Sequence, residues 1–175
     1  MAIRLGEILI QRGLLTEVQV DQILDQQTQW HRPFGVLAEE MFGLSVDDVE
    51  QAWAEQYAAL TRTLDVRHEI PDPSALAMVD RRQAWQFRVL PLRFDGEELM
   101  VATTREQLAR ALRFASRCLA TPCYLVLTET RALGESLMRH FPMAGMTPDS
   151  IMQPVPAISP NRSGMKNCAW FGREH

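Results

Sequence analysis

The chain has 175 residues, of which 46% are apolar and 23% charged, with a formal net charge of −4. That is enough material for one ordinary domain or two small lobes. Up to Val66 there are four arginines against eleven acidic residues, whereas Arg67 to Pro142 holds eleven arginines against nine. A phosphate-backbone binder is thereby excluded from the acidic half, because nucleic acid demands a basic face.

In chain order, the first feature is an internal repeat. Arg4 to Gln27 reads RLGEILIQRGLLTEVQVDQILDQQ and Pro33 to Gln56 reads PFGVLAEEMFGLSVDDVEQAWAEQ, with five residues between them. In register, Leu5 pairs with Phe34, Gly6 with Gly35, Ile8 with Leu37, Leu15 with Leu44, Val20 with Val49 and Gln27 with Gln56. Each block predicts a short helix, a tight turn and a longer helix. Thr16 opens a capping box with Gln19, and Ser45 with Asp47 and Asp48 marks the same start in the second block. Val20, Ile23, Leu24 and Gln27 then share one helical face, as do Val49, Ala52, Trp53 and Gln56. A helix pair this small cannot bury its own apolar face, so the two pairs must pack on each other or on the downstream chain.

From Val66 the pattern changes. A helix is expected over Ala75 to Trp85, a strand over Phe87 to Phe94, a turn at Asp95-Gly96 and a second strand over Glu98 to Thr103. Arg105 to Cys118 reads as an amphipathic helix, Pro122 to Leu127 as a strand and Glu129 to Phe141 as a closing helix. Arg110, Arg113 and Arg117 fall on one face of the amphipathic helix, either as a solvated surface or as a dock for an acidic protein. Met143 to His175 has little periodicity and reads as a flexible tail, with Trp170 and Phe171 as its one anchor-like feature. The fold class is therefore α+β. It comprises a four-helix bundle of two helix-turn-helix repeats (1–66), a small α/β lobe with about three strands (67–142), and the tail (143–175).

The twin blocks, together with IPDPSALAMVDRRQAW and VLPLRFDGEELMVAT downstream, resemble the MshEN domain, the amino-terminal module of type II secretion and type IV pilus assembly ATPases. The resemblance implies a cyclic di-GMP site in which each motif holds one guanine-bearing half of the ligand. Polar contacts would come from Arg4, Gln27 and Gln56, and an apolar bed from Leu5, Leu9, Leu15, Val20 and Leu24. Arginine is the natural fork for a guanine edge or a phosphate. Gly6 and Gly35 would let the ligand approach the backbone. The second block contributes Phe34, Leu44, Val49 and Trp53 by repeat equivalence. Core packing is the competing reading for Leu44, Val49 and Ala52, and for Leu5 and Leu24 both readings stay open.

The second block departs from the family pattern. Pro33 stands where the arginine belongs, Phe34 replaces leucine, Ala38 replaces a large aliphatic, and Phe42-Gly43 inverts Gly13-Leu14. A weakened half-site is implied. Arg32 is the candidate substitute cation, and Phe34 and Trp53 the candidate stacking surfaces. Where the family carries an acidic residue followed by proline after the second strand, this chain has Thr103-Thr104-Arg105-Glu106, so no site is carried over to that loop.

No GxxxxGK[ST] loop exists and Lys166 is the only lysine, so no nucleotide-hydrolysing engine is expected. No nucleophile-base signature supports an enzyme. Cys118, Cys123 and Cys168 and the scattered histidines lack metal-ligand spacing, so neither metal nor cofactor is expected. Met1 leads at once into the first block and no apolar run has membrane-spanning length, so the expectation is a cytoplasmic protein without membrane insertion. Two functions remain open. One is a cyclic di-GMP receptor; the other is a nucleotide-independent adaptor docking on a secretion or pilus ATPase or another protein partner.

Overall fold

The computed structural model describes residues 4–152, which divide into two compact units between Leu60 and Thr61. The first unit holds four helices: α1 (Leu5–Gln11), α2 (Glu17–Trp30), α3 (Phe34–Phe42) and α4 (Val46–Leu60). Both long helices start as their caps dictate. The Gln19 N–H donates to Thr16 Oγ1 at 3.3 Å, and the Asp48 N–H donates to Ser45 Oγ at 3.1 Å. Each block's short helix packs on the long helix of the other block, α1 on α4 and α3 on α2, so the repeat closes on itself reciprocally. The core obeys that reciprocity. Ile8, Leu9 and Ile23 are buried together with their repeat partners Leu37, Ala38 and Ala52, so the inner residues of both apolar stripes share one core.

The inverted dipeptide has a simple geometric result. Gly13 supplies the left-handed turn residue after α1 (φ 71°) and Gly43 supplies it after α3 (φ 69°). Moving the glycine one place later in the repeat lets α3 run on through Phe42 before the chain turns.

The second unit contains a three-stranded sheet in the order β1 (Leu90–Asp95), β2 (Glu98–Thr103), β3 (Cys123–Leu127). β1 and β2 form an antiparallel hairpin whose loop begins at Gly96 with φ 66°. β2 and β3 are parallel, and α7 (Leu108–Cys118) crosses between them. Pro91 sits on β1, the edge strand, beside a register shift before Arg93, where its missing N–H is tolerated. The α8 helix (Thr130–His140) closes the unit.

The structure corrects three expectations. The single helix over Ala75 to Trp85 is two, α5 (Pro73–Leu76) and α6 (Arg81–Phe87). Asp80 starts α6 afresh, its carboxylate accepting from the Gln83 N–H at 2.7 Å. The strand expected from Phe87 begins only at Leu90, because α6 runs through Phe87 and Arg88 then turns left-handed with φ 55°. The stretch after Pro142 is not featureless in its described part. A 3₁₀ turn over Pro148–Ile151 packs on α8, where a Cβ on Gly134 would lie 2.8 Å from Pro148 Cα and Ile151 is buried. Trp170 and Phe171 lie outside the described residues. Among the described residues no helix is long and apolar enough to cross a membrane, and no group of three or more His, Cys, Asp or Glu side chains converges.

Candidate functional site

The first block's motif begins at the amino end of α1. Arg4 caps that helix in an extended conformation (φ −81°, ψ 151°). Its N–H donates to the Glu7 carboxylate at 3.0 Å, so the backbone is fixed while the side chain is exposed. Among the described residues no carboxylate pairs with the Arg4 guanidinium. Gly6, two residues on, is buried. A Cβ there would stand 2.9 Å from Val20 Cγ1 and 3.4 Å from the tip of the Phe34 ring. The second contact brings the two motif starts, Leu5-Gly6 and Phe34-Gly35, side by side at the centre of the repeat.

The equivalent of Arg4 is Pro33, and the neighbouring cation is committed elsewhere. Arg32 forms a two-pronged pair with Glu40, at 2.6 Å and 2.7 Å, with both side chains about half exposed. An arginine fork held by a carboxylate is not available to a ligand unless that pair opens.

The remaining candidates separate by exposure. Leu9 and Leu15 are 0% and 4% exposed and belong to the core. Leu5, Val20, Phe34 and Leu44 are half-buried and pack against it. Leu24 is 43% exposed, so of its two open readings the core one does not describe it. Gln27, Val49, Trp53 and Gln56 are half-buried. The Trp53 indole is tilted against Tyr57, with ring centroids 6.2 Å apart. Gly35 is buried like Gly6, and a Cβ on it would lie 2.7 Å from Val49 Cγ1. Both glycines thus meet a valine of their own block's long helix. Their small size is required by packing, whatever room it also leaves for a ligand.

One tie of this unit had no sequence signal. Arg12 pairs with Glu55 at 3.0 Å across 43 positions of sequence, and nothing in either block's spacing marks the two as partners.

The family model of the MshEN domain matches residues 56–147, just over half of the chain. The chain belongs to the MshEN domain family. The matched span begins where the second block ends, so it covers the α/β unit, whereas the motif blocks stand on their own residues. Two curated relatives are similar as well: Bacteriophage adsorption protein B of Escherichia coli K12 and Bacteriophage N4 adsorption protein B of E. coli O157:H7. Each is 34% identical over 100 residues, 57% of this chain. The MshEN chain spans only 13% of the length of those relatives. Among solved structures, one described as MshE with cdg is 21% identical at a TM-score of 0.44, covering 79% of this chain and 99% of that one. The N-terminal domain of XpsE is 15% identical at 0.41, covering 79% and 93%.

Proposed function

We propose that this MshEN domain is a cyclic di-GMP-binding regulatory module whose first block carries most of the ligand's binding energy. The observation that carries this reading is the asymmetry between two adjacent motif starts. Arg4 presents an exposed guanidinium unpaired among the described residues, whereas Arg32 is spent on Glu40. A dianionic ligand with guanine edges favours the free fork. Leu24, Gln27, Phe34 and Trp53 keep enough exposed surface to meet a base, and occupancy would fix how the two helix pairs pack. A change in that packing is what a protein partner would read. No catalytic step is part of the proposal.

The second reading, a nucleotide-independent adaptor, draws on the burial of Leu9 and Leu15 and on the Arg32–Glu40 pair, which remove three candidates from a ligand's reach. Calorimetric titration of the purified chain with cyclic di-GMP, with GMP and cyclic di-AMP as controls, decides between them. Saturable binding of cyclic di-GMP alone is the expected result. No heat at millimolar ligand, in protein shown to be folded, leaves the adaptor.

A further inference from the structure

The two parallel strands of the second unit end side by side, β2 at Thr103 and β3 at Leu127. The Thr128 N–H ties the ends together by donating to the Thr103 carbonyl at 2.9 Å. In α/β sheets ligands are held in the crevice beyond the carboxyl ends of parallel strands. A pocket of about 280 Å³ opens there, lined by Thr104, Glu106, Gln107, Thr130, Ile151 and Met152. Its volume lies under the roughly 300–1,000 Å³ of sites for drug-sized ligands, so it suits a smaller molecule.

Three groups in this wall are unspent. Thr104 is 1% exposed and its hydroxyl has no hydrogen-bond partner, nor does it cap the 3₁₀ turn Arg105–Gln107 that it precedes. Buried hydroxyls are normally satisfied, so one left open in a pocket wall points to an acceptor or donor from outside the fold. The α8 helix, eleven residues long, begins at Thr130 and has no side-chain cap. Its orphan N–H groups and the positive end of its dipole therefore lie at the same wall. Glu106 is exposed, and among the described residues no arginine pairs with it. The Thr130 hydroxyl reaches its carboxylate only at 3.5 Å, beyond the roughly 2.5–3.0 Å of an O–H···O bond.

Charge decides what these groups can hold together. A simple anion would suit the start of α8 but would stand against Glu106, and a simple cation would suit Glu106 but would stand against the positive helix end. A neutral polyol would leave both without a counter-charge. A molecule with a positive and a negative group on neighbouring atoms satisfies the two at once, and Ile151 and Met152 offer apolar surface to whatever else it carries. We infer that this pocket binds an α-amino acid with an apolar side chain. Its carboxylate lies at the start of α8 and the Thr104 hydroxyl, and its ammonium lies on Glu106. The site is built wholly from the second unit and does not rest on the cyclic di-GMP reading.

The test uses the full chain with L-leucine and L-methionine as probes, followed by calorimetry and ligand-observed NMR. Saturable one-to-one binding of at least one of them is expected. The N-acetyl derivative of the amino acid that binds lacks the ammonium, and its amide lacks the carboxylate. Each should bind at least about tenfold more weakly, the loss of one charge-assisted contact. Glu106→Gln should weaken the amino acid by a similar factor and leave the weak binding of the N-acetyl derivative unchanged. Thr104→Val should keep its stability in urea, because the hydroxyl it removes has no partner and caps nothing, while binding the amino acid severalfold more weakly. No saturable binding of either amino acid, equal binding of a derivative lacking one charge, or wild-type affinity in a folded Glu106→Gln overturns the inference. So does a Thr104→Val variant that loses stability but keeps its affinity, and so does preferential binding of D-glucose, which would make the pocket a polyol site.

Discussion

Gly6 lies so close to Val20 that a methyl group on the glycine would stand 2.9 Å from Val20 Cγ1, and Gly35 repeats the relationship with Val49 at 2.7 Å. Valine is stiff about χ1 and cannot swing aside. Gly6→Ala should therefore destabilise the first unit by about 1–3 kcal/mol, the usual cost of overpacking, even though alanine is the better helix former. The double variant Gly6→Ala/Val20→Ala should show a favourable coupling on urea denaturation. Additive losses would place the strain elsewhere.

Gly13 gives the contrasting case. Nothing lies within 4 Å of its Cβ position, but its φ is 71°. Gly13→Ala should cost about 1–2 kcal/mol through backbone strain alone, and Gly13→Asn should cost less because asparagine tolerates the left-handed region. Equal losses for Ala and Asn in chemical denaturation would argue against strain as the cause.

The parts of the fold legible in the sequence are those whose signals are local. The caps at Thr16 and Ser45 and the paired apolar positions are local and periodic, and both long helices start where those residues place them. The Asp95-Gly96 turn and β2 were equally local. The hidden parts were long-range or competitive. Phe34 against Gly6 and Arg32 against Glu40 depend on how the blocks close on each other. Asp80 divided an expected helix because a strong cap outweighed an otherwise continuous apolar pattern. In the site, Leu9 and Leu15 matched a ligand bed by residue type, but the same residue types fill a core, and only burial separates the two.

Arg4→Ala should weaken cyclic di-GMP by about 2 kcal/mol, the scale of one charge-assisted contact. Folding should hardly change, because the side chain is exposed and its backbone contact to Glu7 survives. Calorimetry checks this, with circular dichroism as the control. Wild-type affinity in the variant would remove Arg4 from the site.

The Arg32–Glu40 pair predicts a gain of function. Both side chains are about half exposed, so Glu40→Gln should change stability by less than about 1 kcal/mol. It should nonetheless tighten cyclic di-GMP by releasing the Arg32 fork, and Pro33→Arg should do so by supplying another. Arg32→Ala should return Glu40→Gln to the affinity of Arg32→Ala alone. If both gains are absent, the second block holds no charged part of the ligand.

Thiol chemistry reports on the α/β unit independently of any ligand. Burial, with a smaller effect of Glu98, pushes the Cys123 thiol up to about 11, and burial also raises Cys118, which is exposed. The thiolate is the reactive form, so Cys123 should resist iodoacetamide at pH 8 and begin to react only as pH rises toward 11. In a Cys168→Ser background Cys118 should be alkylated first, as read by mass spectrometry. Faster labelling of Cys123 would mean that the amino end of β3 opens readily.

Trp53 separates receptor from adaptor, provided the other tryptophans are handled as their surroundings require. Trp85 is 2% exposed and its Nε1–H donates to the Phe141 carbonyl at 2.8 Å. Trp85→Phe would strand that buried acceptor at a cost of about 1–3 kcal/mol. It should be kept as a constant background, and only Trp30, which is 57% exposed, and Trp170 should be changed to Phe. Trp53 is half-buried beside Tyr57. Stacking a guanine on its exposed part is worth roughly 1–3 kcal/mol and should quench its emission. The expected outcome is a saturable quench by cyclic di-GMP that GMP does not reproduce, that Arg4→Ala shifts to higher concentration, and that vanishes in Trp53→Leu. A quench that persists in Trp53→Leu would come from another tryptophan, and emission that stays flat while calorimetry reports binding would put the base on Leu24 of the first block instead.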